Sequence, residues 1–186
     1  MDNYPFIIGG LPTLTADFEV QNFSYDKLRE EICSFLSPKD VELVEFMEYG
    51  FDEDHLNDHF YALCERKSDR FVREYFAFDR KVRNEKVAFI ERKPTEDDSD
   101  LKKTVLAVFA EKNIIERERK LDALYWSQIE EIVCYDILDM DVILAFLAKS
   151  RIVERWCRLD KAKGAEFLAK LVAEVRGTFQ GVKYEE

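Results

Sequence analysis

Past Gly50 the chain has almost no punctuation. Residues 51–186 contain one proline, Pro94, and three glycines, Gly164, Gly177 and Gly181. So few breakers exclude a fold of short strands and tight turns and point to long helices. Positive charge is also in deficit. With 28 Lys and Arg against 39 Asp and Glu, the formal net charge is -11. Nucleic-acid phosphates require a basic surface, so no nucleic-acid partner is expected. The longest uninterrupted apolar run, Val142 to Ala148, has seven residues. A bilayer span needs about 20, so no direct membrane insertion is expected. Asp2 and the short apolar stretch "FIIGGL" do not fit a secretory signal.

The four cysteines, Cys33, Cys64, Cys134 and Cys157, form no CxxC pair. They lie among apolar residues in expected helices, which predicts buried free thiols in a reducing cytosol. Histidine is scarcer still: only His55 and His59 are present.

What remains is rich in helical signal. The first segment, "YPFIIGGLPTL", reads as a short extended strap followed by a turn. Ser24 can cap a helix running to about Leu36, with Leu28 and Ile32 on one face. "SPKD" restarts the chain with Ser37 at the N-cap, Pro38 at the first helical position and Asp40 at the positive end. That helix should stop at Gly50. A third covers Asp54 to Glu65, and Ser68 can cap a long fourth. "KPTEDDSD", residues 93–100, is the acidic break between an N-terminal helical part, 1–92, and a C-terminal one, 101–186. The two parts are expected to form one continuous unit. Helices then cover Leu101 to about Tyr135, Asp141 to Arg158 and Lys161 to Phe179. The last carries a regular stripe of Leu168, Leu171, Val172, Val175 and Phe179. The fold class is therefore all-α, a multi-helix bundle with a short N-terminal extended segment.

The long helix, "FVREYFAFDRKVRNEKVAFIERK", has two apolar bands. At about 100° per residue, Phe71, Tyr75, Phe78, Val82 and Phe89 share one line. Val72, Phe76, Val87 and Ile90 form a second, about 120° away. Asp79 and Arg83 lie in that second band at the pairing spacing i, i+4. They read either as a partly exposed pair at its edge or as a buried, orientation-setting pair. Trp156 falls in the band of Val142, Phe146 and Val153 and should be a buried anchor.

Catalytic chemistry finds no foothold. His55 and His59 would share a helical face amid Asp52, Glu53, Asp54 and Asp58, which makes them candidate metal ligands. The zincin motif needs Glu directly after its first His, and Leu56 stands there. Neither His has Glu three residues before it, so a di-iron bundle is excluded. A nucleophile elbow and a phosphate-binding Gly-rich loop are both absent. No catalytic residue and no cofactor are expected, and the two histidines read as solvent-facing.

"RFVREYFAFDRKVRN", Arg70 to Asn84, resembles a helix in an uncharacterised bacterial family associated with V-type ATP synthases. The block Glu116 to Leu168 carries "KLDALYW", "ILAFL", "VERW" and "LDKAKG" in that family's order. "GLP", Gly10 to Pro12, resembles its N-terminal signature. The family is similar to the C, or d, subunit of V/A-type rotary ATPases, an all-helical funnel joining the rotor shaft to the membrane ring. This chain is much shorter than a three-repeat C subunit. The resemblance implies a non-catalytic cytoplasmic component, peripheral to the membrane through its protein partners, the central shaft and the membrane ring. Two faces are candidates for those contacts: the strap at Phe6, Ile7, Ile8 and Leu11, and the acidic surface at Asp52, Glu53, Asp54 and Asp58. A transient adaptor or assembly factor is the second possibility, and a metal-dependent enzyme using His55 and His59 the third.

Overall fold

The computed structural model describes residues 3–16, 24–93, 100–159 and 161–178, and the side chains of the last segment over 164–177. Among the described residues the chain is all helical. The α-helices are α1 Tyr4–Gly10, α2 Tyr25–Phe35, α3 Pro38–Tyr49, α4 Asp58–Glu65 and α5 Arg70–Glu91. They continue with α6 Asp100–Phe109, α7 Ile114–Ile132, α8 Met140–Cys157 and α9 Lys161–Thr178. A single 3₁₀ turn, Glu53–His55, separates α3 from α4.

The N-terminal strap is not extended but helical. Pro5 sits in the first turn of α1, where its missing N–H costs nothing and its fixed φ suits a helix. The backbone becomes extended only at Leu11. The expected helix from Asp54 to Glu65 is split, because Leu56 and Asn57 are extended. Asn57 then caps α4 by accepting the Phe60 N–H at 2.9 Å. The cap of α5 is Asp69 rather than Ser68; its carboxylate accepts the Val72 N–H at 2.9 Å. Ser37 caps α3 as its sequence implies, accepting from the Asp40 N–H.

Gly50 does end α3, but not in a left-handed conformation. Its role is steric. A Cβ there would lie 2.4 Å from the ring carbons of both Phe60 and Phe76. The close approach of α3, α4 and α5 therefore requires glycine. Ser24 occupies the N-cap position of α2 without a side-chain cap bond. Instead Glu154 of α8 accepts the Tyr25 N–H at 3.3 Å, so a tertiary carboxylate serves that helix end.

α8 is the central helix. Ile143, Leu144, Ala145, Phe146, Leu147 and Ala148 are all buried, as a helix covered on most sides requires. α8 packs against α1, α2, α5 and α7, while α5 packs against α4, α6, α7 and α8. Contacts thus cross between residues 1–92 and 101–186. The main core joins Val44, Met47, Phe71, Phe76, Ile129 and Leu147. A smaller cluster of Phe78, Val82 and Val105 holds α6 against α5. Each large apolar side chain enclosed in this way contributes on the order of 1.5–3 kcal/mol.

The two bands of α5 are buried through Phe71, Val72, Phe76, Phe78 and Val82. Beyond Glu85 the helix is less covered: Phe89 still meets Phe109 of α6 at 6.1 Å between ring centroids, but Val87, Phe89 and Ile90 are exposed. The cysteines are less uniform than expected. Cys64 is buried and its thiol is pushed up to about 12 by burial. Cys33 and Cys157 are half-buried, and Cys134 is exposed in the turn after α7. No helix among the described residues is long and apolar enough to cross a membrane.

Candidate interaction surface

α9 carries the most extensive exposed apolar face. Phe167, Leu168, Leu171 and Val172 recur at helical spacing within an arc of about 140°. All four are exposed, Phe167 and Leu168 by more than 60%. Every described side chain of the helix, 164–177, is exposed. The stripe legible in the sequence is therefore a surface feature here, whereas the comparable stripe of α8 is core. Phe179, the last residue of the expected stripe, lies outside the described residues.

A second apolar surface lies at the other end of the sequence. α1 and α2 enclose a groove of about 470 Å³ lined by Phe6, Leu11, Leu28, Ile32 and Phe35, with Glu31 on its rim. The rings of Phe6 and Phe35 meet edge to face at 5.3 Å. The four strap residues thus divide. Phe6 is exposed at 64% and Ile7 is buried in the core. Ile8 and Leu11 are half-buried and pack against the core. Ile7 is turned inward by α1 and forms part of the floor of this groove.

The acidic surface is partly neutralised by its own neighbours. Asp52 accepts from the Asp54 N–H at 3.1 Å. Glu53 lies 3.4 Å from Arg83, and Asp58 lies 3.1 Å from Arg80. All four acidic residues, Asp54 included, are exposed. Such pairs contribute little to stability, yet they reduce the net field this face offers a partner.

The histidines do not share a helical face. His55 is in the 3₁₀ turn, stacked on Tyr49 at 3.7 Å with its Nδ1 3.0 Å from the Tyr49 carbonyl. His59 is exposed on α4. Among the described residues no group of three or more His, Cys, Asp or Glu is placed to hold a metal.

Asp79 proves to be buried, at 5% exposure. Its carboxylate accepts from Tyr61 Oη at 2.6 Å, Tyr125 Oη at 2.7 Å and Arg83 Nε at 2.9 Å. Burial, with the adjacent Asp79 charge, raises both tyrosine hydroxyls well above their ordinary range, so they stay protonated donors. Trp156 is buried at 8%, as its band implied, and its indole donates to Asp122 Oδ2 at 2.6 Å. Arg155 also pairs with Asp122. Burial pushes the Asp122 carboxyl up, and Arg155 and Trp156 pull against it.

Asp79, Arg83, Asp122, Tyr125 and Arg155 line a cleft of about 500 Å³ between α5, α7 and α8. The cleft's charges oppose one another: Arg83, Arg155 and Arg158 face Asp79, Asp122 and Glu154. Among the described residues no buried side-chain N or O lacks a hydrogen-bond partner. The arrangement is that of a satisfied structural network. Tyr61, Tyr125 and Asp122 were not identified as its members from the sequence, since each is distant in the chain from the group it serves. Their one local signal is a polar group set inside an apolar helical band.

A family model described as "Protein of unknown function (DUF2764)" matches residues 99–178, a stretch that begins just before α6 and ends with α9. No curated protein matches the chain, and no solved structure matches it.

Proposed function

We propose that the protein is a non-catalytic component of a V-type ATPase or ATP synthase, similar to the C/d subunit that couples the central shaft to the membrane ring. On this reading it is cytoplasmic and reaches the membrane only through protein partners. The observation that supports a binding role is α9, an 18-residue helix whose apolar face is exposed to solvent. Most helical stability in proteins comes from packing an amphipathic face, so a helix exposed in this way gains stability when that face is covered. The likeness of Arg70–Asn84 and Glu116–Leu168 to the ATPase-associated family supplies the class of partner. The all-helical bundle is compatible with a stiff coupling element.

The test is affinity capture from the native host followed by salt titration. Recovery of shaft or ring subunits is expected. Retention in the intact complex through gentle purification marks a permanent component, whereas release after assembly marks an adaptor. A chain that migrates alone in gentle extracts, and whose deletion leaves the ATPase fully coupled, is not a rotor linker.

A further inference from the structure

We propose that the cleft between α5, α7 and α8 binds a small organic anion, its oxyanion end held by the Arg151 guanidinium and its apolar body lying on the cleft walls. This does not rest on the ATPase reading, and either can fail without the other.

Arg151 stands outside the network that fills the rest of the cleft. Four arginines line that cleft: Arg83, Arg151, Arg155 and Arg158. Three are engaged. Arg83 donates to Asp79 at 2.9 Å, Arg155 pairs with Asp122, and Arg158 lies 3.1 Å from Glu154. Arg151 makes no hydrogen bond among the described residues. Its one nearby carboxylate oxygen, Glu154 Oε2, is 3.8 Å away, beyond hydrogen-bond reach. Glu154 is held where it stands, because its other oxygen accepts the Tyr25 N–H at 3.3 Å and meets Arg158.

The guanidinium is nevertheless fixed in place. Its carbon lies 5.0 Å from the Tyr25 ring centre and 5.9 Å from that of Phe51, both within cation–π range. Tyr25 is buried and donates its hydroxyl to Glu48 at 2.6 Å, so the platform is rigid. The Arg151 side chain is still 42% exposed, so a ligand can reach it. A planar fork already oriented, with unused N–H donors, matches the paired oxygens of a carboxylate or phosphate. It has little side-chain freedom left to lose on binding.

The surroundings select the side and the chemistry. Arg151 also borders a second cavity of about 380 Å³, but Asp26, Glu30 and Glu48 line it and repel an anion. In the cleft of about 500 Å³ the four arginines balance Glu53, Asp79, Asp122 and Glu154. An anion there meets no net repulsion from the walls, within a chain of net charge -11. The same walls offer Phe51, Tyr75, Leu121, Ile152 and Leu159. Apolar walls around a few oriented polar groups suit a small organic ligand. Free phosphate would leave those walls uncovered.

The probes are phenylacetate, its neutral amide phenylacetamide, and inorganic phosphate. Each is titrated into the full chain and followed by NMR of the backbone amides and arginine side chains. Phenylacetate is expected to saturate at millimolar concentration and to shift the signals of Phe51, Arg151 and Ile152. The amide and phosphate should bind about tenfold more weakly or worse. Arg151→Gln should weaken phenylacetate by about tenfold or more, with unchanged helical circular dichroism showing that the variant folds. The comparison of the three probes uses the parent chain, so it decides the matter even where the variant is destabilised. Absence of saturable shifts with phenylacetate overturns the proposal, as does equal affinity for the amide. Shifts confined to another surface, or binding that a folded Arg151→Gln variant leaves unchanged, overturn it too. Phosphate binding as tightly as phenylacetate overturns the assignment to an organic anion.

Discussion

Tyr125 of α7 donates its hydroxyl to Asp79 Oδ1 of α5 at 2.7 Å, across a junction where Tyr61 of α4 and Arg83 serve the other oxygen. One carboxylate thereby ties three helices. Its removal leaves two buried hydroxyls and a half-buried guanidinium without their acceptor. Asp79→Ala should cost about 3–5 kcal/mol by urea denaturation. Asp79→Asn keeps one acceptor oxygen and should cost less. A loss below about 1 kcal/mol for the alanine variant would show that the network contributes little.

Trp156 combines a large buried ring with a hydrogen bond to Asp122. Trp156→Ala should lose about 3–5 kcal/mol through the cavity and the lost contacts. Trp156→Phe keeps most of the ring and isolates the lost donor, so about 1–2 kcal/mol is expected. Equal losses in the two variants, measured by thermal and urea unfolding, would assign the whole effect to the hydrogen bond.

Gly50→Ala tests the tight junction of α3, α4 and α5. The new methyl would meet the Phe60 and Phe76 rings, and both are buried. A destabilisation of about 1–3 kcal/mol is expected from overpacking. An unchanged melting temperature would mean that the rings move aside freely.

Asp69 gives stability a pH dependence of unusual sign. Burial pushes its carboxyl up to about 6, and nearby Asp141 adds to the shift. The Val72 N–H and Arg73 pull the other way. Asp141 in turn pairs with Arg70, which also holds Asp136. The unfolded value is about 3.9, so the folded state binds the proton more tightly. This group's contribution is fully present below about pH 4 and is lost as pH rises through about 6. Asp69→Asn keeps the cap acceptor and removes the titration. Its advantage over the parent should grow from about pH 4 to about pH 7, by on the order of 1 kcal/mol once partial solvent screening is allowed for. A difference between the two that does not vary with pH, read from urea midpoints, would refute the assignment.

His55→Ala with His59→Ala should move the melting temperature only slightly, since the loss is a partly exposed stack on Tyr49. Added zinc should not restore what is lost. Stoichiometric zinc in protein purified without added metal, absent from the double variant, would contradict this placement of the histidines.

Much of the element order was legible because helix formation is local. Sparse glycine and proline, capping residues and a 3.6-residue period acted within a few positions of each other, and they located α2, α3, α5, α8 and α9 to within a residue or two. Local signals failed where two neighbouring residues offered the same chemistry, as with Ser68 and Asp69. They also failed at the strap, where proline in a first turn looks like proline in an extended segment.

Periodicity marks which side of a helix is apolar, not whether anything covers it. The stripes of α8 and α9 are alike in sequence; packing encloses the first and leaves the second in solvent. The spacing of Asp79 and Arg83 determined that they pair. Whether the pair is buried was decided by Tyr61 and Tyr125, whose hydroxyls reach Asp79 only because α4 and α7 pack on α5. The free end of α2 was likewise completed by Glu154, far along the chain. A buried charge needs partners gathered from several directions at once, and only the packing of separate helices can supply them.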